Sequence, residues 1–254
     1  MKNKLTRIIS PILSIILIIT VLLFQPKETR AVAAWVQSSS NGANSVTTIN
    51  STPASNVTAW NLIVLVTHNN TTETPSVSDN QSNTYTQHIQ VSNDRELTIF
   101  STIAASTGSL TVTLTTVGSN RLGLSVNEFS GSWDSSRVDG TPASATGTGT
   151  AVSSGNTTTT GNAVFVGGVS ISSVTTGCVL GVGYSNLDSS DTGRFCSESK
   201  VITGATTDDA DFTATSNNWA AAVVAFKEVA ASANPQDIII FKGDSIFKNN
   251  VIFK

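Results

Sequence analysis

The sequence predicts an all-β protein whose main domain is a two-sheet antiparallel β-sandwich of the jelly-roll or Greek-key type. Three observations predict it: many short runs rich in β-branched residues, turn residues between these runs, and no helical periodicity. In the run at residues 110–117, apolar residues at 110, 112 and 114 alternate with threonines, which is the pattern of a strand with one buried face. Short strands in this number and at this spacing are typical of a sandwich.

The run from Trp60 to His68 is the densest apolar stretch after the N-terminal segment, and the domain is predicted to form around it. Thr-Pro-Ala-Ser precedes the run at residues 52–55, and Asn-Asn-Thr-Thr follows it at residues 69–72. A short apolar run bounded by turn residues on both sides indicates a strand that is covered on both faces. We therefore expect this strand at the centre of a sheet.

The other strands are predicted from the same alternation of apolar runs and turns. They cover residues 35–39, 45–50, 85–91, 96–104, 110–117, 122–129, 163–171, 179–184, 195–202, 210–215 and 220–226. Residues 130–161 contain few large apolar side chains and much Gly, Ser and Thr, so a loop with one or two weak edge strands is predicted there. The domain is predicted to occupy residues 34–228.

The first 33 residues are predicted to form a secretory signal peptide. Lys2, Lys4 and Arg7 precede an apolar run over residues 8–24, and Ala-Val-Ala at residues 31–33 is the small-x-small pattern of a signal-peptidase site. An uncleaved anchor is the alternative, because the run approaches the ~18–20 residues needed to span a bilayer. In either case the rest of the chain is expected outside the cytoplasm, secreted or at the cell surface, with this segment as its membrane contact.

Cys178 and Cys196, the two cysteines of the chain, are predicted to form a disulfide. An even number of cysteines suits an oxidising compartment. The residues between them are predicted to form a hairpin whose two strands bring the sulfur atoms opposite each other. Two buried free thiols are the alternative.

Composition narrows the class of partner. Charged residues make up 12% of the chain, hydrophobic residues make up 39%, and the net charge is −3. A chain of this composition has no basic surface for nucleic acid. Ser, Thr, Asn and Gly provide its polar surface instead, which suits an extracellular β protein.

The C-terminal part of the chain differs in composition from the domain. Residues 229–236 are small and polar and are predicted to be a linker. In residues 237–254 the triplet Ile-Phe-Lys occurs three times at a spacing of six residues, so in an extended strand its phenylalanines share one face. This segment is predicted to pair with a sheet, either as an edge strand of its own domain or by donation to a neighbouring subunit. The predicted assembly residues are Ile240, Phe241, Ile246, Phe247, Ile252 and Phe253.

Two short motifs resemble those of a β-sandwich module found in secreted bacterial and phage structural proteins. Residues 79–85, Asp-Asn-Gln-Ser-Asn-Thr-Tyr, are similar to its Asp-x-x-Gly-Asn-x-Tyr turn, with Ser82 in place of the glycine. Residues 127–131, Asn-Glu-Phe-Ser-Gly, resemble the end of a later strand, and residues 219–226 resemble its closing strand. The resemblance covers residues 35–227. It implies the sandwich fold, an extracellular setting and a structural hydrogen bond for Glu128, with no established activity.

Little in the sequence suggests catalysis. Residues 243–246, Gly-Asp-Ser-Ile, are similar to the nucleophile block of Gly-Asp-Ser-Leu esterases, but both histidines, His68 and His88, lie far upstream. A nucleophilic serine needs a positioned base, and both histidines are expected at strand ends in solvent. We therefore predict that the protein is not an enzyme, with a hydrolase as the lesser alternative.

No cofactor is predicted. With two histidines, and with both cysteines assigned to a disulfide, the sequence offers too few ligands for a zinc site. Calcium binding is the remaining alternative, because two groups of aspartates could supply oxygen ligands: Asp208, Asp209 and Asp211, or Asp188 with Asp191.

The function predicted from these features is that of a non-catalytic structural or interaction protein at the cell surface. Its partner would be another copy or another surface protein, joined through the C-terminal strand in a filament, a surface layer or an adhesin. The alternative is a carbohydrate-binding sandwich. For that role Trp133 is the tryptophan expected to be exposed, whereas Trp35, Trp60 and Trp219 stand at strand starts and are expected in the core or at its rim.

Overall fold

The computed structural model describes residues 32–71, 73–133, 136–173, 178–190, 194–229, 238–241 and 245–248. The regular elements in these ranges are all β-strands. No helix long and apolar enough to cross a membrane occurs among the described residues. The predicted signal segment up to residue 31, the linker from residue 230 onward, and both Ile252 and Phe253 lie outside these ranges.

The strands form two large sheets and two small ones. The first sheet contains β1 (Ala34–Ser51), β2 (Leu62–Asn69), β3 (Ser76–Asp79), β4 (Thr86–Ser92), β5 (Glu96–Ile103) and β6 (Val112–Ser130). The second contains β7 (Val138–Ser153), β9 (Ala163–Ile171), β10 (Ser185–Ser190), β11 (Phe195–Ile202) and β13 (Asp211–Lys227). The small sheets pair β8 (Thr157–Thr158) with β12 (Thr207–Asp208), and β14 (Ile238–Phe241) with β15 (Ser245–Lys248).

The chain completes the first large sheet before it begins the second. The strand orders are β1-β6-β2-β5-β4, with β3 also paired to β6, and β10-β11-β9-β13-β7, and all pairs are antiparallel. Neighbours that are not consecutive, such as β2 beside β5 and β6, are those of Greek-key connections and not of an up-and-down meander. The predicted antiparallel two-sheet sandwich is confirmed.

The two halves of the domain share one topology. In each half the first strand pairs with the last, β1 with β6 and β7 with β13. The last strand then pairs with the second long strand, β2 or β9, which pairs in turn with β5 or β11. Each position in the first sheet therefore has a structural counterpart in the second.

Strand β2 lies at the centre of the first sheet, as its sequence predicts. All eight of its residues are buried. Leu62, Val64 and Val66 pack in the core between the two sheets, whereas Ile63 and Leu65 pack in a second core on the outer face. Residues 62–66, which lie between apolar cores on both sides, are accordingly all apolar, whereas the buried end of the strand is polar.

The outer faces of both sheets are covered by long, bent strand pairs. In the β1–β6 pair, Leu124 belongs to the part that pairs with β2, whereas Ile49 and Val112 belong to the part beyond it. All three nevertheless pack in the same apolar cluster. The counterpart pair β7–β13 does the same with Val152 and Phe212. Register shifts interrupt both pairs and allow the bend. The domain therefore contains three apolar layers, where a simple sandwich has one.

Strand boundaries in these pairs differ from the predictions. The turn signals in residues 40–44, 118–121 and 216–219 predict breaks, yet β1, β6 and β13 run through them as bulges. The predicted loop at residues 130–161 contains the 16-residue strand β7 at the edge of the second sheet. Its small residues have a packing reason, because a Cβ at Gly147 would overlap the indole of Trp219.

The predicted disulfide between Cys178 and Cys196 is confirmed, with 6.4 Å between the two Cα atoms. The predicted hairpin register is wrong, since Cys196 on β11 lies opposite Ser189 on β10. Cys178 lies instead in the segment 178–184, where a strand was predicted. That segment makes a single bridge, at Val179, and includes Gly183 at φ +79°, so it crosses the sheet as a loop.

The C-terminal repeat contains a short hairpin. Strands β14 and β15 pair antiparallel, with Ile240 opposite Ile246 and Ile239 opposite Phe247. Within the described residues neither strand pairs with a strand of the sandwich. The repeat is therefore not one continuous strand over residues 238–248, because it turns back on itself between β14 and β15. Strand β13, the last strand of the second large sheet, stops at Lys227.

Candidate functional site

The buried carboxylate of Glu128 organises one end of the first sheet. Glu128 is fully buried on β6. Its Oε1 accepts hydrogen bonds from the backbone N–H of Thr58 at 2.8 Å and from Nδ2 of Asn61 at 2.6 Å. Its Oε2 accepts a hydrogen bond from Nε2 of Gln37 at 2.6 Å. Three donors on two other segments thus satisfy one carboxylate, a structural role of the kind the resemblance implies.

Gln37 extends this network to the loop before β2. Its Nε2 donates to the carbonyl of Ser55 at 3.1 Å, and its Oε1 accepts the N–H of the same residue at 3.0 Å. Val57 is fully buried and pairs with Gly108 on a neighbouring loop. The segment from Ser55 to Asn61 is therefore held at both ends and in its middle.

Trp60 projects from this held segment into solvent. Its side chain is 75% exposed, and its backbone has φ +73°. Its N–H donates to the carbonyl of Ala104 at 2.9 Å, and the N–H of Asn61 closes the turn onto Thr58 at 3.2 Å. The buried strand begins at Leu62, so Trp60 lies in the preceding turn and not at the strand start where it was expected.

The two segments that hold Trp60 contain no basic residue. Residues 52–61 and 104–111 carry no charge, and the carboxylates next to them are Glu128, which is buried beneath the turn, and Asp79, whose turn is bonded to Ala105 and Thr111. Ser55, Asn56 and Thr58 are exposed beside the indole in sequence, and the N–H of Ala59 donates to the hydroxyl of Thr107 at 3.0 Å. Trp60 is thus a flat apolar group with hydroxyl and amide groups near it.

Trp133 does not have the exposure that the sequence predicts for it. The side chain is half-buried and packs against the core between the sheets. Its ring lies on Gly131, where a Cβ would come within 2.8 Å of it. The structure thus does not bring Trp133 to the surface as a stacking platform. Trp219 is buried as expected, and Trp35, at the same end of the first sheet as Trp60, is 40% exposed.

The turn at residues 79–85 is organised around Asp79. Its Oδ1 accepts the N–H groups of Gln81 and Asn83, and its Oδ2 accepts Nδ2 of Asn83 and the hydroxyl of Tyr85 at 2.7 Å each. Burial raises the pKa of Tyr85, and the hydrogen bond to Asp79 acts in the same direction. Ser82 has φ +59°, the left-handed conformation for which the similar motif has a glycine.

The expectation that both histidines lie in solvent is wrong. His68 is fully buried between the sheets, and its Nδ1 lies 2.7 Å from the hydroxyl of Ser170 on the opposite sheet. His88 is half-buried, with Nε2 at 2.7 Å from Oγ of Ser101. Residues of the second sheet cover both rings, with Phe195 against His68 and Phe226 against His88, and the local sequence does not indicate these contacts.

Ser101 and His88 have the spacing of a nucleophile and its base but not the access. Arg137 Nε donates to Ser101 Oγ at 3.0 Å, and the same oxygen is hydrogen-bonded to Nε2 of His88. Burial, with the nearby charge of Arg137, lowers the pKa of His88 to about 4, so the ring is neutral at neutral pH. Ser101 is fully buried, and its oxygen lies between these two partners. The group ties β4, β5 and the start of β7 together.

The acidic residues near β11 and β13 are dispersed. Lys200 Nζ pairs with Asp208 Oδ2 at 2.5 Å, and Asp209 is bonded to the hydroxyl of Ser153. Across the described residues no group of three or more His, Cys, Asp or Glu side chains converges as a metal site would require. The side chain of Asp188 and the whole of Asp191 lie outside the described part of the chain.

Glu198 is the strongly perturbed carboxyl of this region. It is buried on β11, and its Oε2 accepts the N–H of Gly181 at 3.0 Å. Burial raises the pKa of Glu198 to about 8, and the charges of Asp211 and Asp209 act in the same direction. Gly181 belongs to the loop that Cys178 fastens to β11, so the carboxyl and the disulfide hold the same loop.

The esterase-like block does not form a described site. Gly243 and Asp244 lie outside the described residues, and Ser245 begins strand β15 of the C-terminal hairpin.

Comparison with protein-family models, curated proteins and solved structures gave no match to this chain. The resemblance to the secreted β-sandwich module therefore rests only on residues 79–85, 127–131 and 219–226.

Proposed function

We propose that this protein is a non-catalytic structural or interaction protein of the cell surface that self-assembles through its C-terminal hairpin. The proposal includes export through the N-terminal segment, with removal of that segment after Ala33 or its retention as an anchor. The partner is a second copy of the chain or another surface protein.

The C-terminal hairpin is the observation that carries this proposal. It consists of two strands of four residues each, Ile238–Phe241 and Ser245–Lys248, paired only with each other among the described residues. An isolated two-stranded hairpin is at best marginally stable in water, and stability needs a third strand or a packed face. Strand β14 is apolar throughout, Ile-Ile-Ile-Phe, and β15 has Ile246 and Phe247 between Ser245 and Lys248. A hairpin of this kind is completed by strand addition to another sheet, which gives affinity through backbone hydrogen bonds.

Two further features support an extracellular setting. The disulfide between Cys178 and Cys196 suits an oxidising compartment. The basic and then apolar character of residues 2–24 is that of an export signal.

The arrangement of the reactive side chains supports a non-catalytic role. Ser101 is enclosed with His88 and Arg137, and the carboxylate of Glu128 is satisfied by three donors inside the fold. Groups held in this way fix the positions of loops and sheets.

The test is a concentration series of the exported protein in sedimentation velocity, with electron microscopy of the same samples. Assembly that grows with concentration is expected. Ile240→Pro and Ile246→Pro each remove a backbone donor from the hairpin and are expected to give monomers. Ser245→Ala keeps the backbone of the same hairpin and is the matched control, so it should assemble like the original chain.

The melting temperature of the sandwich should be unchanged in all three variants, because the hairpin shares no sheet with it. A monomer at every concentration would overturn assembly in trans and leave the hairpin as part of its own domain. Assembly that is equal in the proline variants and the control would remove the hairpin from the interface.

A further inference from the structure

Trp60 combines two features that the fold would ordinarily avoid. An indole that is 75% exposed gains little from burial, and a bulky residue at φ +73° is in a conformation that costs energy. Non-glycine residues held in this region often occur at ligand-binding positions, where the surrounding structure enforces the conformation.

The second half of the domain shows that the fold does not need this indole. β9 has in the second sheet the place that β2 has in the first. It lies between β13 and β11, as β2 lies between β6 and β5. The residues before β9 are Thr160, Gly161 and Asn162, and Asn162 Oδ1 accepts the N–H of Gly204 at 2.9 Å. The segment that leads into β9 thus consists of small and polar residues, with no aromatic side chain at the position of Trp60.

The turn that presents Trp60 is rigidly held. The buried carboxylate of Glu128 accepts from Thr58 and Asn61 on either side of the tryptophan, and the N–H of Trp60 itself is bonded to Ala104. An aromatic side chain on a fixed turn loses little conformational freedom when a ligand binds, which is the condition for affinity from a small contact.

The chemistry around the indole indicates an uncharged, hydroxyl-rich ligand. No basic residue occurs in residues 52–61 or 104–111, and the neighbouring Glu128 and Asp79 are carboxylates, so neither a nucleic acid nor an anionic ligand finds a counter-charge there. Ser55, Asn56 and Thr58, which are exposed on the segment that leads to Trp60, supply hydroxyl and amide groups on the same turn segment as a flat apolar ring. A sugar ring has the matching pair of surfaces, an apolar C–H face that stacks on an indole and a rim of hydroxyls that hydrogen-bond.

We propose that the Trp60 turn is a binding site for a neutral saccharide, with Trp60 as the stacking residue and Glu128 as the positioning residue that fixes the turn. The site lies on the sandwich and does not depend on assembly through the C-terminal hairpin. Trp133, the expected stacking residue, has no part in it.

The test is isothermal titration of the full-length exported protein with cellohexaose, maltohexaose and chitohexaose, with tryptophan fluorescence as a second readout. Binding of at least one of these neutral probes is expected. Trp60→Gly should weaken that binding at least about tenfold, the loss of a dominant contact. This variant should fold normally because glycine adopts φ +73° without strain. Trp60→Tyr keeps a ring that stacks and should retain most of the affinity.

Trp35→Ala is the matched control, since it removes another exposed indole at the same end of the sheet without touching the Glu128 network. It should bind within about twofold of the original chain. Equal losses in the Trp35 and Trp60 variants would overturn the assignment to the Trp60 turn. Failure of all three neutral probes to bind, or unchanged affinity in Trp60→Gly, would overturn the site. None of these outcomes changes the sedimentation result, so this proposal and the assembly proposal fail independently.

Discussion

Asn61 donates its side-chain amide to Glu128 Oε1 at 2.6 Å, and this contact joins the turn before β2 to the end of β6. The contact is buried on both sides. It determines where the central strand of the first sheet begins and, one residue earlier, where Trp60 points. A single carboxylate thus links the packing of the outer core to the shape of an exposed turn.

Glu128→Gln is expected to lower the free energy of unfolding by about 1–3 kcal/mol. A glutamine puts an NH2 group where one carboxylate oxygen accepts a hydrogen bond, so one buried donor faces another. Gln37 cannot turn over to compensate without breaking both of its bonds to Ser55. Urea denaturation measures the change. Glu73→Gln is the control, because Glu73 accepts one backbone N–H through Oε1 and a glutamine oxygen preserves that bond. Equal effects of the two substitutions would contradict the prediction.

Ser82→Gly is expected to stabilise the protein by about 0.5–1 kcal/mol. The φ of +59° at Ser82 costs an L-residue about 1–2 kcal/mol, and the greater freedom of glycine in the unfolded chain removes part of the gain. The comparison is with Ser78→Gly in the exposed strand β3, where glycine should destabilise by about 0.5–1 kcal/mol. Denaturation midpoints of the two variants should therefore shift in opposite directions. A fall for Ser82→Gly would show that its left-handed conformation carries no strain.

Stability is expected to fall as the pH rises through the range in which Glu198 titrates. Its pKa is about 8 in the folded protein against 4.5 for an ordinary glutamate, so the folded state retains a proton that the unfolded state has lost. The unfolding free energy therefore decreases with pH between these two values and levels off above the higher one. Urea midpoints from pH 5 to pH 9 measure this slope. Glu198→Gln cannot titrate and should flatten it, and an identical slope in the variant would place the titrating group elsewhere.

Trp133→Ala is expected to lower the free energy of unfolding by about 2 kcal/mol, because the indole is half-buried against the core between the sheets. The loss of a fully buried aromatic side chain costs more, about 3–5 kcal/mol. Urea denaturation measures this loss. Trp60→Gly is the contrast, since it removes an indole that is 75% exposed and should leave stability unchanged or higher. A stable Trp133→Ala variant would return Trp133 to the surface and revive it as a candidate stacking residue.

The local pattern of the sequence was sufficient for the parts of the fold that depend on one strand at a time. The apolar run of β2, with its turn residues on both sides, indicates burial on two faces, and the alternation over residues 110–117 indicates one buried face of β6. These inferences succeed because a strand needs apolar side chains where it lies between two apolar cores, whichever neighbours cover it. The pairing of Cys178 with Cys196 follows equally from their even number and from the export that residues 1–33 predict.

Contacts between distant segments decided the rest. Strand β7 has few large apolar residues, yet it is a long strand because β13 pairs with it and Trp219 packs on Gly147. His68 appears polar in sequence but is buried, because Ser170 on the opposite sheet supplies a hydrogen-bond partner.

The candidate site follows the same division. The sequence by itself determined that the chain forms a β-sandwich and that any stacking role would belong to a tryptophan. Only the tertiary structure decided which tryptophan is exposed, since Trp133 is half-buried against the core beside Gly131, whereas Trp60 is 75% exposed on a turn held by Glu128. The physical reason is that the exposure of one side chain depends on what packs over it, and Glu128 lies 67 residues from its partner Asn61.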